Sequence, residues 1–283
     1  MKIFTQIENF NADMFTPVSL YLSLRNSHRK VCLLESNDYH SRQDSKSFIG
    51  LDPIVELRQV GNELTITTSD SEEIILLTEN EKHSSQIQSI LNTFEFDDST
   101  ENGFYGRMGF EYALREETNL KANSSDLDLP SLHLFIFQYV IEIDHFTNEG
   151  KLIENSRDKI FTENIHRLLL SQSNAQVLPF ELIGNERSLF SDEEFTDHIK
   201  TGIKHCQRGD VFQLVLSNAF EHSFFGDDFQ IYRTLRQLNP SPYLFYFDFE
   251  DYRLFGSSPE AQLIVKNGKA EIHPIAGTVP KTG

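Results

Sequence analysis

Apolar and polar positions along the first half of the chain predict a helix followed by a succession of strands. Thr16-Pro17 puts a capping hydroxyl before a proline at the first helical position, which opens a short helix through about Arg25. The run Val31-Cys-Leu-Leu34 reads as a buried strand ending in Glu35-Ser36, and the polar stretch from Asn37 to Lys46 as a loop. Ser47–Leu51, Ile54–Val60 and Leu64–Thr68 carry strand patterns, the last two joined by a turn at Gly61-Asn62. Ser84-Ser85 caps a helix whose Ile87, Ile90, Leu91 and Phe94 share one face. The polar, acidic stretches Asp97–Gly103 and Glu116–Pro130 read as loops. HLFIFQYVIEID, His133 to Asp144, is a long strand that turns at Asn148-Glu-Gly150 into Lys151-Leu-Ile153. A helix follows from about Asp158 to Leu170.

Ser171 to Ser188 is the best linker candidate. Ser191-Asp-Glu-Glu194 has capping-box spacing, Phe195, Ile199, Ile203 and Cys206 trace one helical face, and Gly209 supplies the stop. VFQLVLS, Val211 to Ser217, reads as a strand by its β-branched and aromatic content. Asp227-Asp228 starts a helix through Leu238, ended by Asn239-Pro240. Tyr243–Phe249, Arg253–Ser257, Ala261–Val265 and Lys269–His273 are close-spaced strands, with a hairpin turn at Asn267-Gly268. Strands on short turns with helices inserted predict an α+β fold with a large, mostly antiparallel sheet system and helices packed outside it, rather than repeated βαβ units. The expected domains are 1–170 and 189–283, joined by the linker 171–188.

Composition narrows the function. With 43 acidic against 25 basic residues the net charge is −18, so phosphate backbones and anionic lipids are repelled: neither nucleic acid nor membrane is an expected partner. An anionic substrate then needs a locally positive or metal-bearing pocket. Cys32 and Cys206 stand far apart, outside any CxxC, and are expected as buried free thiols in a reducing compartment. The N-terminus has no signal-peptide pattern and no apolar run nears the roughly 20 residues of a membrane span, which makes cytoplasmic the default.

No GxGxxG, GxxxxGKS or HExxH is present, and the ten His lack paired metal-ligand spacing. The Phe-rich strands read as core. Glu35-Ser36 is either a turn cap or a polar ligand contact, and Asn239-Pro-Ser-Pro-Tyr243 either a rigid turn or a wall offering carbonyls to a ligand. In a covered VFQLVLS strand the Gln213 amide needs partners, structural or functional. Gly277-Thr278, in PIAGT, offers backbone amides and a hydroxyl that suit a carboxylate.

Six segments in order, LLES (Leu33–Ser36), SFIG (Ser47–Gly50), GDVFQLVLS (Gly209–Ser217), NPSPYLFYF (Asn239–Phe247), GSSPE (Gly256–Glu260) and PIAGT (Pro274–Thr278), resemble the large, chorismate-binding subunit of anthranilate synthase across nearly the whole chain. That resemblance implies the anthranilate-synthase fold and a reaction: chorismate plus ammonia gives anthranilate and pyruvate, with Mg²⁺ gripping the substrate carboxylate. Ammonia would come from glutamine through a separate amidotransferase subunit. Relatives that add water carry Lys, a general base, at the position of Gln213, whereas neutral ammonia needs no such base. Aminodeoxychorismate synthases carry a nucleophilic Lys at the position of Ala276, so the covalent route is closed here. Gly277 and Thr278 would touch chorismate. L-Tryptophan, the feedback inhibitor, would meet Glu35 and Ser36 on one side and Asn239, Pro242, Tyr243 and Leu244 on the other. The family pattern continues past PIAGT with the metal ligands and a catalytic His. The expectation is therefore an N-terminal fragment, with part of the sheet system missing, no metal site of its own and no turnover of chorismate. The alternatives are an aminodeoxychorismate synthase subunit or a stand-alone tryptophan-sensing module.

Overall fold

A computed structural model describes residues 1–36, 45–78, 81–97, 102–110, 112–113, 127, 129–161 and 177–275. Its central fact is a sheet in which strands from both ends of the chain meet. In chain order the elements are β1 (Lys2–Asn11), α1 (Pro17–Leu24), β2 (Cys32–Ser36), β3 (Lys46–Val60), β4 (Glu63–Thr68), β5 (Glu72–Leu76), α2 (His83–Leu91), β6 (Glu95–Phe96), β7 (Tyr105–Met108), β8 (Leu132–Asp144) and β9 (Glu149–Ser156). The second half adds β10 (Phe180–Ser188), α3 (Asp192–Arg208), β11 (Phe220–Gly226), α4 (Phe229–Leu238), β12 (Tyr243–Asp248), β13 (Arg253–Ser258), β14 (Ile264–Lys266) and β15 (Lys269–Glu271). The eleven-stranded sheet runs β13-β12-β2-β3-β8-β9-β1-β6, with β4 and β5 extending from β3 and β7 from β8. β10–β11 and β14–β15 are separate ribbons. The α+β architecture is the expected one.

The chain divides into two compact units: Met1–Gln176 with Pro240–Ser257, and Val177–Asn239 with Ser258–Gly283. Two strands from the second half of the chain thus complete the sheet of the first. Beneath one face of this sheet lie Cys32, Phe135, Phe137, Val140, Ile153, Phe247 and Phe249, all buried. A second cluster gathers Ile3, Val55, Leu57, Leu64, Leu132 and Ile136 around Ile87 of α2. α1 packs on β2 and β3, where Tyr21 meets Tyr246 edge-on at 5.5 Å.

Caps and turns follow their chemistry. Thr16 caps α1 in a reciprocal box with Ser19, and Ser191 caps α3 in a box with Glu194. Gly209 ends α3 in the left-handed conformation, and Asn267-Gly268 has positive φ at both positions, as a tight hairpin requires. α2 begins earlier than Ser84-Ser85 suggests: its N-cap is Lys82, with no side-chain cap.

Other expectations are corrected. Ser47–Leu51 and Ile54–Val60 are one strand, because β8 pairs along both pieces and absorbs Asp52-Pro53 as a bulge, with Asp52 at φ 51°. Phe180–Ser188, inside the expected linker, is strand β10, paired with β11. Val211–Ser217 is not a strand: none of β1–β15 runs beside it to complete a ladder, and its residues are exposed. β1, β5, β6, β7 and β11 were not foreseen, and Cys206 is exposed although Cys32 is buried. The helix expected from Asp158 to Leu170 is absent at 158–161, and 162–170 lie outside the described residues.

Gly50 shows how tightly the sheet is stacked. It pairs with Cys32 on one side and Val140 on the other, and a Cβ here would stand 2.3 Å from the Phe137 ring. Gly50→Ala must displace a fully buried aromatic, so it is expected to lower stability by about 1–3 kcal/mol. Urea denaturation checks this; an unchanged midpoint would show that the ring turns aside without cost.

Candidate functional site

β2 and β12 bring together two motifs from opposite ends of the chain. Their antiparallel ladder sets Tyr243 opposite Ser36, Leu244 opposite Glu35, Phe245 opposite Leu34, Tyr246 opposite Leu33 and Phe247 opposite Cys32. β2 is short and apolar up to Leu34, so its polar end falls where β12 begins. Directly opposed residues share a face and successive residues alternate. Glu35 and Leu244 therefore point to the face that α1 covers, and Ser36 and Tyr243 to the other. Glu35 and Leu244 are 3% and 2% exposed, whereas Tyr243 is 38% exposed.

Each face continues onto β3 and β8. On the α1 side Glu35 pairs with Ser47, whose hydroxyl lies 2.7 Å from His145 Nε2. On the other side Lys46 Nζ donates to the buried Glu142 carboxylate at 2.6 Å, and Lys151 stands 3.9 Å from the same oxygen. These residues line an open cleft of about 770 Å³ with Asn9, Asn11 and Asp144. His145, Lys46 and Glu142 escaped sequence reasoning; only SFIG, which begins at Ser47, one residue past Lys46, marked the place.

The six proposed tryptophan contacts are thus distributed as follows. Glu35, Ser36, Tyr243 and Leu244 meet in one ladder, and Pro242 immediately precedes β12. Asn239 ends α4 and belongs to the second compact unit. Gln213 is exposed, which corrects the expectation of a covered amide: the stretch around it joins no ladder, although Leu214 and Leu216 line an apolar groove with Phe195, Ile199 and Ile203 of α3. Gly277 and Thr278 lie outside the described residues, as does Ala276.

At the opposite end of the same two strands lies a buried charged network. His133 of β8, 1% exposed, stands 2.7 Å from Glu56 Oε1 through Nε2 and 2.9 Å from the Tyr252 hydroxyl through Nδ1. Lys30 donates to Glu56 Oε2 at 2.5 Å. Burial alone would raise the Glu56 carboxyl; hydrogen bonds from His133 and Lys30, with the charge of Lys30, outweigh it and hold the carboxyl at about 2. Burial is also the largest influence on Tyr252 and pushes its phenol up to about 12.

Among the described residues no cluster of three or more His, Cys, Asp or Glu side chains is placed to hold a metal ion. No helix among them is long and apolar enough to cross a membrane.

Residues 31–283 match the family of chorismate binding enzymes, and the chain belongs to that family. Within it the chain is similar to "Anthranilate synthase component 1" of Bacillus subtilis (strain 168), 30% identical over 96% of this chain and 57% of the relative. The protein of the same name from Geobacillus stearothermophilus is 29% identical, over 96% of this chain and 58% of the relative. The crystal structure of anthranilate synthase component I from Streptococcus pneumoniae TIGR4 shares the fold, with a TM-score of 0.60 at 21% identity over 92% of this chain and 59% of that one. The chain therefore spans somewhat over half the length of the relatives it matches.

The Glu56 carboxyl generates a prediction about acid stability. Its folded value lies below the ordinary 4.5, so its contribution is complete above that pH and is lost as pH falls from 4.5 toward 2. A depression of that size corresponds to roughly 3 kcal/mol for this largely buried group. Urea midpoints measured between pH 6 and pH 3 are expected to fall more steeply for the parent chain than for Glu56→Gln. Parallel slopes would show that Glu56 does not carry the effect.

Proposed function

We propose that the protein holding this sequence is the large subunit of an anthranilate synthase, converting chorismate and ammonia to anthranilate and pyruvate in tryptophan biosynthesis. The observation that carries the reading is the family match over residues 31–283 in a chain whose Gln213 is neutral and whose Ala276 offers no nucleophile. A lysine at the first position would activate water, and at the second would attack the ring covalently. With neither, free ammonia supplies the lone pair: nitrogen bonds to the ring as the hydroxyl departs as water, and loss of pyruvate then makes the ring aromatic. Gly277 and Thr278 are the proposed chorismate contacts. A glutamine amidotransferase partner would supply ammonia. A cytoplasmic setting fits this reading.

Mg²⁺ is part of the proposal as a requirement of the whole enzyme. Among the described residues no three His, Cys, Asp or Glu side chains stand together to supply its donor set.

The ladder of β2 and β12 supports the second part of the reading, a regulatory site for L-tryptophan. The Glu35 carboxylate suits the ligand ammonium, and Leu244 beside it suits the indole. Because Glu35 and Ser36 point to opposite faces, a ligand touching both side chains must sit at the end of the strands rather than on one face. Pro242 and Asn239, on the approach to β12, are the further contacts proposed. Tryptophan inhibits only by preferring one conformation over another.

The test is an assay of the protein expressed from the whole open reading frame, with chorismate, ammonium and Mg²⁺. Anthranilate fluorescence, abolished by EDTA and inhibited by L-tryptophan, is expected; aminodeoxychorismate as product would overturn the reading. The 283-residue chain alone is expected to form no anthranilate. Tryptophan binding without any product from the whole protein would favour the sensing module instead. For the inhibitor site, Glu35→Gln is expected to weaken L-tryptophan at least ~10-fold by calorimetry, the size of one charge-assisted hydrogen bond. An unchanged Kd would remove Glu35 from the site.

A further inference from the structure

The compact unit of Val177–Asn239 with Ser258–Gly283 keeps little apolar surface inside. Among its described residues the only buried apolar side chains are Phe229 and Tyr232. Phe212 is fully exposed and Val215 is 80% exposed, while Leu182 and Ile183 of β10 and Phe225 of β11 are each more than half exposed. A unit of this size cannot be held together by two buried rings, so its apolar faces call for a cover.

The stretch from Val211 to Ser217 has a fixed place within this unit. At one end Asp210 N donates to His205 O, and the Asp210 carboxylate stands 2.8 Å from both His205 Nδ1 and an Arg208 nitrogen. At the other end Asn218 accepts from Phe190 N at 3.1 Å and donates to Ser188 Oγ at 2.8 Å, beside the backbone bond from Leu189 N to Ala219 O. Between these pins the chain lies on α3. A Cβ at Gly202 would stand 3.0 Å from Leu214 and 3.5 Å from Leu216. Those two leucines face α3 beside Phe195, Ile199 and Ile203, and Val215 between them faces away. Such alternation is the period of a strand. Val211–Ser217 therefore has the composition of a strand and the facing of a strand, yet none of β1–β15 pairs with it.

We propose that Val211–Ser217 is a docking strand: laid on α3 and pinned at both ends, it pairs edge to edge with an extended, apolar segment of the polypeptide that follows Gly283 in the whole protein. The donors and acceptors of an extended backbone point sideways along its edges, so another extended segment is what satisfies them in series. Val215 and Phe212, open to solvent, call for apolar side chains opposite them. A second copy is the poorer occupant, because a chain of net charge −18 repels its like. The relatives offer the better one. This chain covers 57% and 58% of the two Bacillus and Geobacillus proteins, so each holds further polypeptide that the match leaves over. The proposal rests on membership of the family and not on which reaction the protein performs, so failure of the anthranilate synthase reading leaves it standing.

The test compares amide hydrogen exchange of the 283-residue chain with that of the protein expressed from the whole open reading frame. At least every second amide from Phe212 to Ser217 is expected to exchange ~100-fold or more slowly in the whole protein, and near its intrinsic rate in the 283-residue chain. Val215→Pro removes one donor and fixes the backbone there. It is expected to abolish the protection of Leu214 and Leu216 in the whole protein and to leave exchange in the 283-residue chain unchanged. Should that variant fail to fold, the two unsubstituted proteins decide alone. Equal exchange in both overturns the proposal, as does an open reading frame that closes at Gly283. Protection that rises with concentration of the 283-residue chain, together with a dimer by light scattering, overturns it in favour of a second copy. Protection of the whole protein that arises only when an amidotransferase subunit is added overturns it in favour of that subunit.

Discussion

The backbone of β2 needs hydrogen-bond partners along both edges, and one of them comes from the far end of the chain. β3 supplies the first by local connection, and β12 supplies the second. Without β12, five apolar and polar positions from Cys32 to Ser36 would present an open edge above a core of Phe135, Phe137 and Val140. Closing that edge recruits Pro240–Ser257 into the first compact unit, and it brings LLES against PYLFY. The site reading, the buried network and the division of the chain all depend on this one pairing.

Much of this was written in local pattern. The helices α1, α3 and α4 and the strands β8, β12 and β13 follow from capping chemistry, apolar spacing and turn residues that act within a few positions. β1 escaped because only Ile3 is fully buried along KIFTQIENFN, which leaves no alternation to read. Asp52-Pro53 looked like a break because a lone strand cannot show that a neighbour will carry it through a bulge. VFQLVLS shows the converse limit: strong β propensity in Val211–Ser217 produces no strand where no ladder partner lies alongside, so context overrules preference.

The candidate site was legible only in part for the same reason. Resemblance marked Glu35, Ser36, Tyr243 and Leu244, and the register makes them neighbours, but alternation separates Glu35 from Ser36 across the sheet. Lys46, Glu142 and Lys151 carry no signal in sequence, since each is an ordinary surface residue until β3, β8 and β9 align. His133 was hidden more completely. In HLFIFQYVIEID it reads as one polar residue at a strand start, and its partners Glu56 and Tyr252 are distant in sequence.

Register is where the two ends of the β2–β12 ladder become one problem. A slip of β12 by a single residue against β2 would turn Leu244 to the opposite face while Glu35, paired with Ser47 of β3, stayed on the α1 face. The five paired positions are too few to set register by backbone alone, because a one-residue slip loses only one pair and a two-residue slip two. Side chains must decide it. The aromatic pairs Phe245 on Leu34 and Phe247 on Cys32 favour the observed alignment, but a two-residue slip would return apolar groups to the same face. The turn from β12 into β13 cannot follow such a slip: Tyr252 has one imidazole to reach, and Glu250 one pair of cations at Arg29 and Lys30. Lys30 lies two residues before Cys32 in the same segment that becomes β2, so a fixed Lys30 fixes the strand's starting point. A charged anchor at one end of the ladder thereby determines which side chains stand together at the other.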